Sequence, residues 1–428
     1  MRKLWLIVPV AVLGILYYTS AQTVPVGPPP TPPTPALGDI GKTDRAKTPG
    51  MPKLSEDSEP IRFSAQLGSN WLKRAVTAEG RFVYGFQPAL RVELDGDNFV
   101  SQAGAAFALA RSARVFRDQE GTARARQVLL TLLNLETIID PDDATKSARF
   151  CAAPPQAVNR LSSNGLLISA VHELDGHDKS PKDLLRMADE LCNHVRQLQR
   201  PDGSLAITAN GAVLKSGSDE FDAYHAGLGL QGIIRSQRLG PAEWKLEMLR
   251  KARTHYLAQW SARKNVGAAC SHVPAYAEAF IRTNDPAFKE AVFAMTDWLI
   301  GLQYREDLDA VRGQWAGGFP RYRDGRVEAV APDIQSALPT EALAEACRVA
   351  KHAGDLAKLR DYERAMVLNA RFLMKLQYTA EKTNHFIDRF RPYVLGGFYV
   401  SPQDGNLRID ATQYALAGMA IYLDAVAE

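Results

Sequence analysis

From residue 61 to residue 428 the apolar residues recur at helical spacing almost without interruption. Phe288, Ala291, Val292, Met295, Leu299 and Leu302 fall on one face, and so do Leu356, Leu359, Tyr362, Met366, Ala370, Leu373 and Leu376. Both stretches carry charge on the opposite side, so each predicts an outer helix with one face in a core. A second kind of stretch, at 102–110, 223–233 and 412–423, is rich in Ala and Gly and apolar on most sides. A helix with no polar face is one surrounded by other helices.

The two kinds alternate. Outer helices are expected near 65–76, 119–137, 183–199, 242–260, 287–303 and 358–377, and inner ones near 98–117, 155–175, 220–238, 274–283, 337–352 and 411–426. The repeat is about 61 residues, long for a solenoid, with the excess in the outer-to-inner loops. The fold class is therefore all-α, with six helical hairpins closed into an (α/α)6 toroid. An open superhelical solenoid is the alternative.

Three joints repeat one another. Trp298-Leu299-Ile300-Gly301-Leu302-Gln303 precedes Gly317-Gly318-Phe319, and Phe372-Leu373-Met374-Lys375-Leu376-Gln377 precedes Gly396-Gly397-Phe398. A reduced copy, Val195-Arg196-Gln197-Leu198-Gln199, runs into Asp202-Gly203-Ser204-Leu205. The pattern resembles the repeat of the terpenoid cyclase and protein prenyltransferase toroids. That resemblance implies a closed ring in which each glutamine ends an outer helix and braces the next inner one. The chain has Phe319 and Phe398 where those repeats use tryptophan, and long insertions after Gln303 and Gln377. The resemblance therefore carries the fold and leaves the chemistry open. A six-hairpin ring is also similar to that of many carbohydrate enzymes, an analogy of fold alone.

The amino terminus reads differently. Arg2-Lys3, an apolar run from Leu4 to Tyr18 and then Thr19-Ser20-Ala21 have the order of a secretory signal. Residues 1–21 predict export, periplasmic or extracellular. An uncleaved segment at 4–18 would make a membrane tether instead, although the run is short for a span. Residues 22–60 form a proline-rich linker, with Pro28-Pro29-Pro30 favouring extended polyproline. The toroid domain occupies 61–428. A net charge of +3 with no basic stripe excludes nucleic acid as a partner. Four cysteines in so long a chain are no disulfide framework. Cys192 and Cys347 sit on apolar helical patterns and predict buried thiols. Cys270-Ser271-His272 could offer two zinc ligands, but paired-cysteine spacing is missing, so neither metal nor cofactor is expected.

Chemistry belongs on the rim where the inner helices begin, because unpaired N–H groups and positive helix ends collect there. Asp97, Asp219 with Asp222, Asp333 and Asp410 recur at that rim. A carboxylate at a helix start also serves as a cap, and recurrence is what capping predicts. Asp219-Glu220-Phe221-Asp222-Ala223-Tyr224-His225 stands apart because acids, a tyrosine and a histidine share two turns. Asp219, Asp222, Tyr224 and His225 are thus the catalytic candidates. Two loops combine aromatics with arginines and supply the substrate-binding candidates: Trp315, Phe319, Arg321 and Arg323 in one, Arg389, Arg391 and Tyr393 in the other. Asp140-Pro141-Asp142-Asp143 matches the acid motif of the cyclases letter for letter, but it follows an outer helix and reads as a turn. The expected function is an exported toroid that acts on or binds a glycan or small molecule in its cavity. A uronate-containing glycan is included, and the chemistry would be hydrolysis, elimination or epimerisation. A non-catalytic binder and a terpenoid-cyclase-like protein are the alternatives.

Overall fold

The computed structural model describes residues 58–152, 160–174, 182–209, 212–213, 219–305, 310–323, 325–328 and 330–426. The signal and most of the linker lie outside them. Among the described residues, no helix is long and apolar enough to cross a membrane.

Six outer helices alternate with six inner ones. In chain order they are α1 (Ser58–Ala75), α2 (Phe99–Phe116), α3 (Gln119–Leu135), α4 (Arg160–Leu174), α5 (Lys182–Gln197), α6 (Asp219–Ser236), α7 (Glu243–Ala262), α8 (Val266–Thr283), α9 (Pro286–Leu302), α10 (Thr340–Ala353), α11 (Leu356–Lys375), a single turn α12 (Arg391–Val394) and α13 (Ile409–Val426). The inner helices α2, α4, α6, α8, α10 and α13 each pack on the next, and α13 packs back on α2. The ring is closed: the protein is an (α/α)6 toroid.

Local chemistry sets the helix ends. Asn98, Asp118, Asn265, Asp285 and Asp355 cap α2, α3, α8, α9 and α11 by accepting first-turn N–H groups. Outer helices bury one stripe, as in α9, where Phe288, Ala291, Val292, Met295 and Leu299 are buried. Inner helices are buried all round, as α4 is from Leu161 to Leu174. Two expectations shift. Leu356 opens α11 in solvent rather than joining its stripe, and α8 starts at Val266, with Pro274 inside it instead of at its start.

The joints close the ring, but not as the resemblance implied. Gln199 Nε2 donates to Met248 O on α7, Gln303 Nε2 to Ala365 O on α11, and Gln377 Nε2 to Ser64 O on α1, at 2.9, 2.9 and 3.0 Å. Each glutamine therefore braces the next outer helix, not the next inner one. The same amide also donates to the turn glycine's carbonyl, of Gly203, Gly317 or Gly396. These glycines have φ of +89°, +87° and +93°, and a Cβ on them would lie 2.4, 1.9 and 2.2 Å from a carbonyl oxygen of the neighbouring outer helix. Only glycine fits a left-handed turn pressed so closely on another backbone. Gln377 with Ser64 joins the sixth hairpin to the first.

Helix does not account for everything. The rim loops pair into short antiparallel strands that the helical periodicity did not show. Gly85–Gln87 and Val92–Glu93 from the first hairpin join Asp404–Arg408 and Tyr399–Ser401 from the sixth in a four-stranded sheet.

Candidate functional site

The bore of the ring is built in layers, because polar side chains recur every three or four residues along helices otherwise made of Ala, Gly and Leu. On α6 the stripe is Tyr224, Gln231 and Arg235, with Arg238 just past the helix end; on α13 it is Asp410 and Tyr414.

At the mouth, the rim sheet runs directly into α13. Arg408 ends its last strand, and its guanidinium donates to both oxygens of Asp410, at 3.0 Å from Nε and 2.5 Å from Nη2. Asp410 is 6% exposed. Burial raises its pKa above the ordinary carboxylate value, against the opposing pull of Arg408. The Tyr84 ring lies 5.2 Å beneath the Arg408 guanidinium. Burial, then the charge of Asp410, pushes the Tyr84 phenol up to about 12.

One turn deeper, Tyr224 and Tyr414 share a hydrogen bond of 2.5 Å between their hydroxyls. They come from α6 and α13, which face each other across the ring. Burial raises both phenols, and Tyr414 also lies within the fields of Asp410 above and Glu341 below.

The next layer is ionic. Glu341 Oε1 accepts from Arg111 Nη1 at 2.6 Å and Gln231 Nε2 at 2.7 Å. Glu173 Oε1 accepts from Arg111 Nε at 3.1 Å and Arg235 Nη1 at 2.8 Å, and Arg235 reaches Glu345 at 3.1 Å. Arg111, Arg235, Glu173 and Glu345 are fully buried. Burial pushes Glu173 up, yet Arg111, Arg114, Arg235 and Arg238 together hold it well below the ordinary value. A last tier, Arg238–Glu278 at 3.2 Å and Arg348–Glu278 at 3.6 Å, sits at the far end. Glu341 opens α10 yet lies deep, because α10 starts beside Gly418, two turns inside α13: a Cβ on Gly418 would meet Thr340 at 2.5 Å. Its partners are closed off, but 16% of its side chain stays open to solvent.

The sequence candidates divide. Tyr224 reaches the bore. Asp222, two residues earlier, is about 200° around the helix and faces outward, where its charge adds to the burial that raises Tyr256 on α7. His225 turns sideways to Ser162 on α4, against Phe221 at 4.2 Å, and burial lowers it to about 3. The expected cluster is thus corrected: its members leave α6 in three directions. Asp219 begins α6.

The two loops also lean apart. Tyr322 packs on Trp298 of α9 at 5.2 Å, whereas Tyr393 stacks on Phe86 at 5.1 Å and its carbonyl accepts from Trp71 of α1. Phe319 is buried and its N–H donates to Ser336, so it packs the joint rather than meeting a ligand. Trp315 packs on Tyr304 within its own loop. Arg321 pairs with Asp333 at 2.8 Å, and Arg323 lies 3.9 Å from Glu328. Arg389 covers Phe390, and Arg391 lies 3.7 Å from Asp388. Asp333 does cap, accepting from Gln335 N, while Asn98 rather than Asp97 caps α2. Asp410 is no cap: it binds Arg408 and its own neighbour's N–H. Asp143 accepts the backbone N–H groups of Thr145, Ser147 and Ala148, as a turn residue does. All four cysteines are buried.

Tyr84, Arg408, Tyr414 and Glu341 were missed. For Tyr414 and Glu341 the signal was present, since a charged or phenolic residue inside an Ala-rich helix must point at something polar; Tyr84 and Arg408 sit on rim segments outside any helix and carried none.

No protein-family model matches this chain, and no curated protein sequence matches it either. Solved structures do. Cellobiose 2-epimerase from Bacillus thermoamylovorans B4167 superposes with a TM-score of 0.61 at 10% identity, over 85% of this chain and 98% of that one. D-mannose isomerase gives 0.58 at 10%, over 87% and 99%. An unsaturated glucuronyl hydrolase specific for heparin gives 0.53 at 12%, over 86% and 98%. At such identities these likenesses establish a shared toroid fold.

Proposed function

We propose that this protein is an exported enzyme that performs general acid–base chemistry on a glycan at the mouth of its bore. The observation that carries the proposal is Asp410. It is a buried carboxyl with a raised pKa, one turn above two phenols that meet across the ring. A carboxyl that holds its proton to a higher pH than an ordinary one is suited to donate it. Glu341, deeper and still reached by solvent, is the second carboxylate, and Tyr414 lies between the two. Hydrolysis uses such a pair, one to protonate the leaving oxygen and one to serve the opposite face of the sugar. The fold is shared with a glucuronyl hydrolase, epimerases and an isomerase, all of them proteins that act on sugars by name. Export rests on Arg2-Lys3 and the apolar run after it.

A second reading draws on Arg408. A guanidinium beside two phenols suits a uronate: the cation neutralises the carboxylate, Glu341 takes the C5 proton, and a phenol gives a proton to the opposite face of C5 or to the leaving oxygen. Incubation of the purified protein with neutral and uronate polysaccharides separates the readings. New reducing ends without unsaturated products mean hydrolysis, whereas unsaturated or inverted uronates mean C5 chemistry. Asp410→Asn should lower either turnover at least about a hundredfold with the fold intact. Retention of every glycan without any product would make the protein a binder and overturn the proposal.

A further inference from the structure

We infer that the site takes the end of a glycan chain and not its interior; this rests on the function proposed above. The bore is blind. Below the phenol pair, Arg111, Glu173, Arg235 and Glu345 join four inner helices in one hydrogen-bonded layer with no exposure. Glu278, between Arg238 and Arg348, lies below it and is also buried. A polar chain could pass only by breaking several buried ion pairs at once, each strongly unfavourable to separate.

The depth above that floor is limited as well. Arg111 Nη1 donates to Ala417 O, so the floor lies seven residues below Asp410 on α13, about 10 Å along the helix. The Tyr224–Tyr414 bond crosses this space between opposite helices. A terminal sugar that takes over the hydrogen bond shared by the two phenols can set its hydroxyls on them and reach Glu341 beneath, while an internal sugar, carrying chain on both sides, cannot descend. The rim supplies an exit for the rest of the chain. The connection from α7 to α8 is only residues 263–265, whereas the first and sixth hairpins raise the four-stranded sheet. The trailing chain therefore leaves over the α7–α8 side, past the exposed Lys264, whose amine lies 5.4 Å from the Trp260 ring centre.

The test is binding by chains of graded length, using cello-oligosaccharides and oligogalacturonates with the folded Asp410→Asn variant and, separately, Tyr414→Phe. At a chain-end site the affinity per chain is the same for short and long members of a series. At an interior site it rises in proportion to the number of sugar units. Length-independent affinity, together with loss of binding when the accepted terminus is capped by a bulky group, is the expected result. Affinity that climbs with length and ignores the cap overturns this inference and leaves the proposed function standing. No binding of either series by either variant or by the wild type would count against both.

Discussion

Asp222 and Asp410 are the same side chain at the start of facing inner helices, yet they do different work. Asp410 points into the bore beside Arg408 and over two phenols, and Asp222 points out toward α7. Asp222→Asn should therefore leave turnover unchanged and cost about 0.3–1 kcal/mol through the helix dipole. A hundredfold loss of turnover with that variant would return the site to the 219–225 segment. The histidines make a separate prediction. Burial holds His172 and His225 down to about 3, and His194 and His272 down to about 4. Their ordinary value is 6.5, so the unfolded chain takes up protons that the folded one refuses. Stability is full above pH 6.5 and falls below it, by about 1.4 kcal/mol per pH unit for each fully depressed histidine. Below 4.5, Glu173 and Glu278, both depressed by their arginines, add loss of the same sign. Melting at pH 7 and pH 5 should show a marked drop in Tm, and His225→Gln should flatten the slope by about one proton. A Tm flat across that interval would show that these imidazoles titrate normally.

At the scale of the element, the joint between hairpins is the unit that repeats. One glutamine amide ties its own glycine turn to the next outer helix, and the glycine's missing side chain lets the two backbones touch. Gln377→Ala leaves the carbonyls of Ser64 and Gly396 without this donor in a buried place, which should cost about 1–3 kcal/mol. The sign of closure is that this loss appears at the junction between the last hairpin and the first. Urea unfolding of the variant checks it, and an unchanged midpoint would mean that the ring is not held there. The sequence showed the glutamine, the glycine and the aromatic residue. It did not show which neighbour the glutamine reaches, because that depends on how adjacent hairpins dock. The rim strands escaped for a related reason: segments of two to five residues carry too little periodicity, and the pairing that joins the first hairpin to the sixth, Gly85 with Arg408, links opposite ends of the ring domain.

At the scale of the whole molecule, the ionic layers decide the shape of the site. Removing one partner from a buried network strands the others, so Glu173→Gln should destabilise by about 3–5 kcal/mol, since Arg111 and Arg235 are fully buried around it. A calorimetric Tm within experimental error of the wild type would show that the network is not what closes the bore. The same layer makes the bore a pocket with a floor rather than a channel.

The chain by itself determined its helices, their alternation and the count of six hairpins, because those follow from the spacing of apolar residues and from which helices lack a polar face. Glycine and glutamine at the joints added closure. The direction of each polar side chain is a different kind of information. On α6 a step of two residues separates a side chain in the bore from one facing an outer helix, and the sequence assigns no zero to that angle until the six inner helices are packed. Arg408, Asp410 and Tyr414 come from one end of the chain, Tyr84 from the other, Tyr224 and Glu341 from between. Only ring closure brings them together, since the contacts that align them run between helices far apart in sequence.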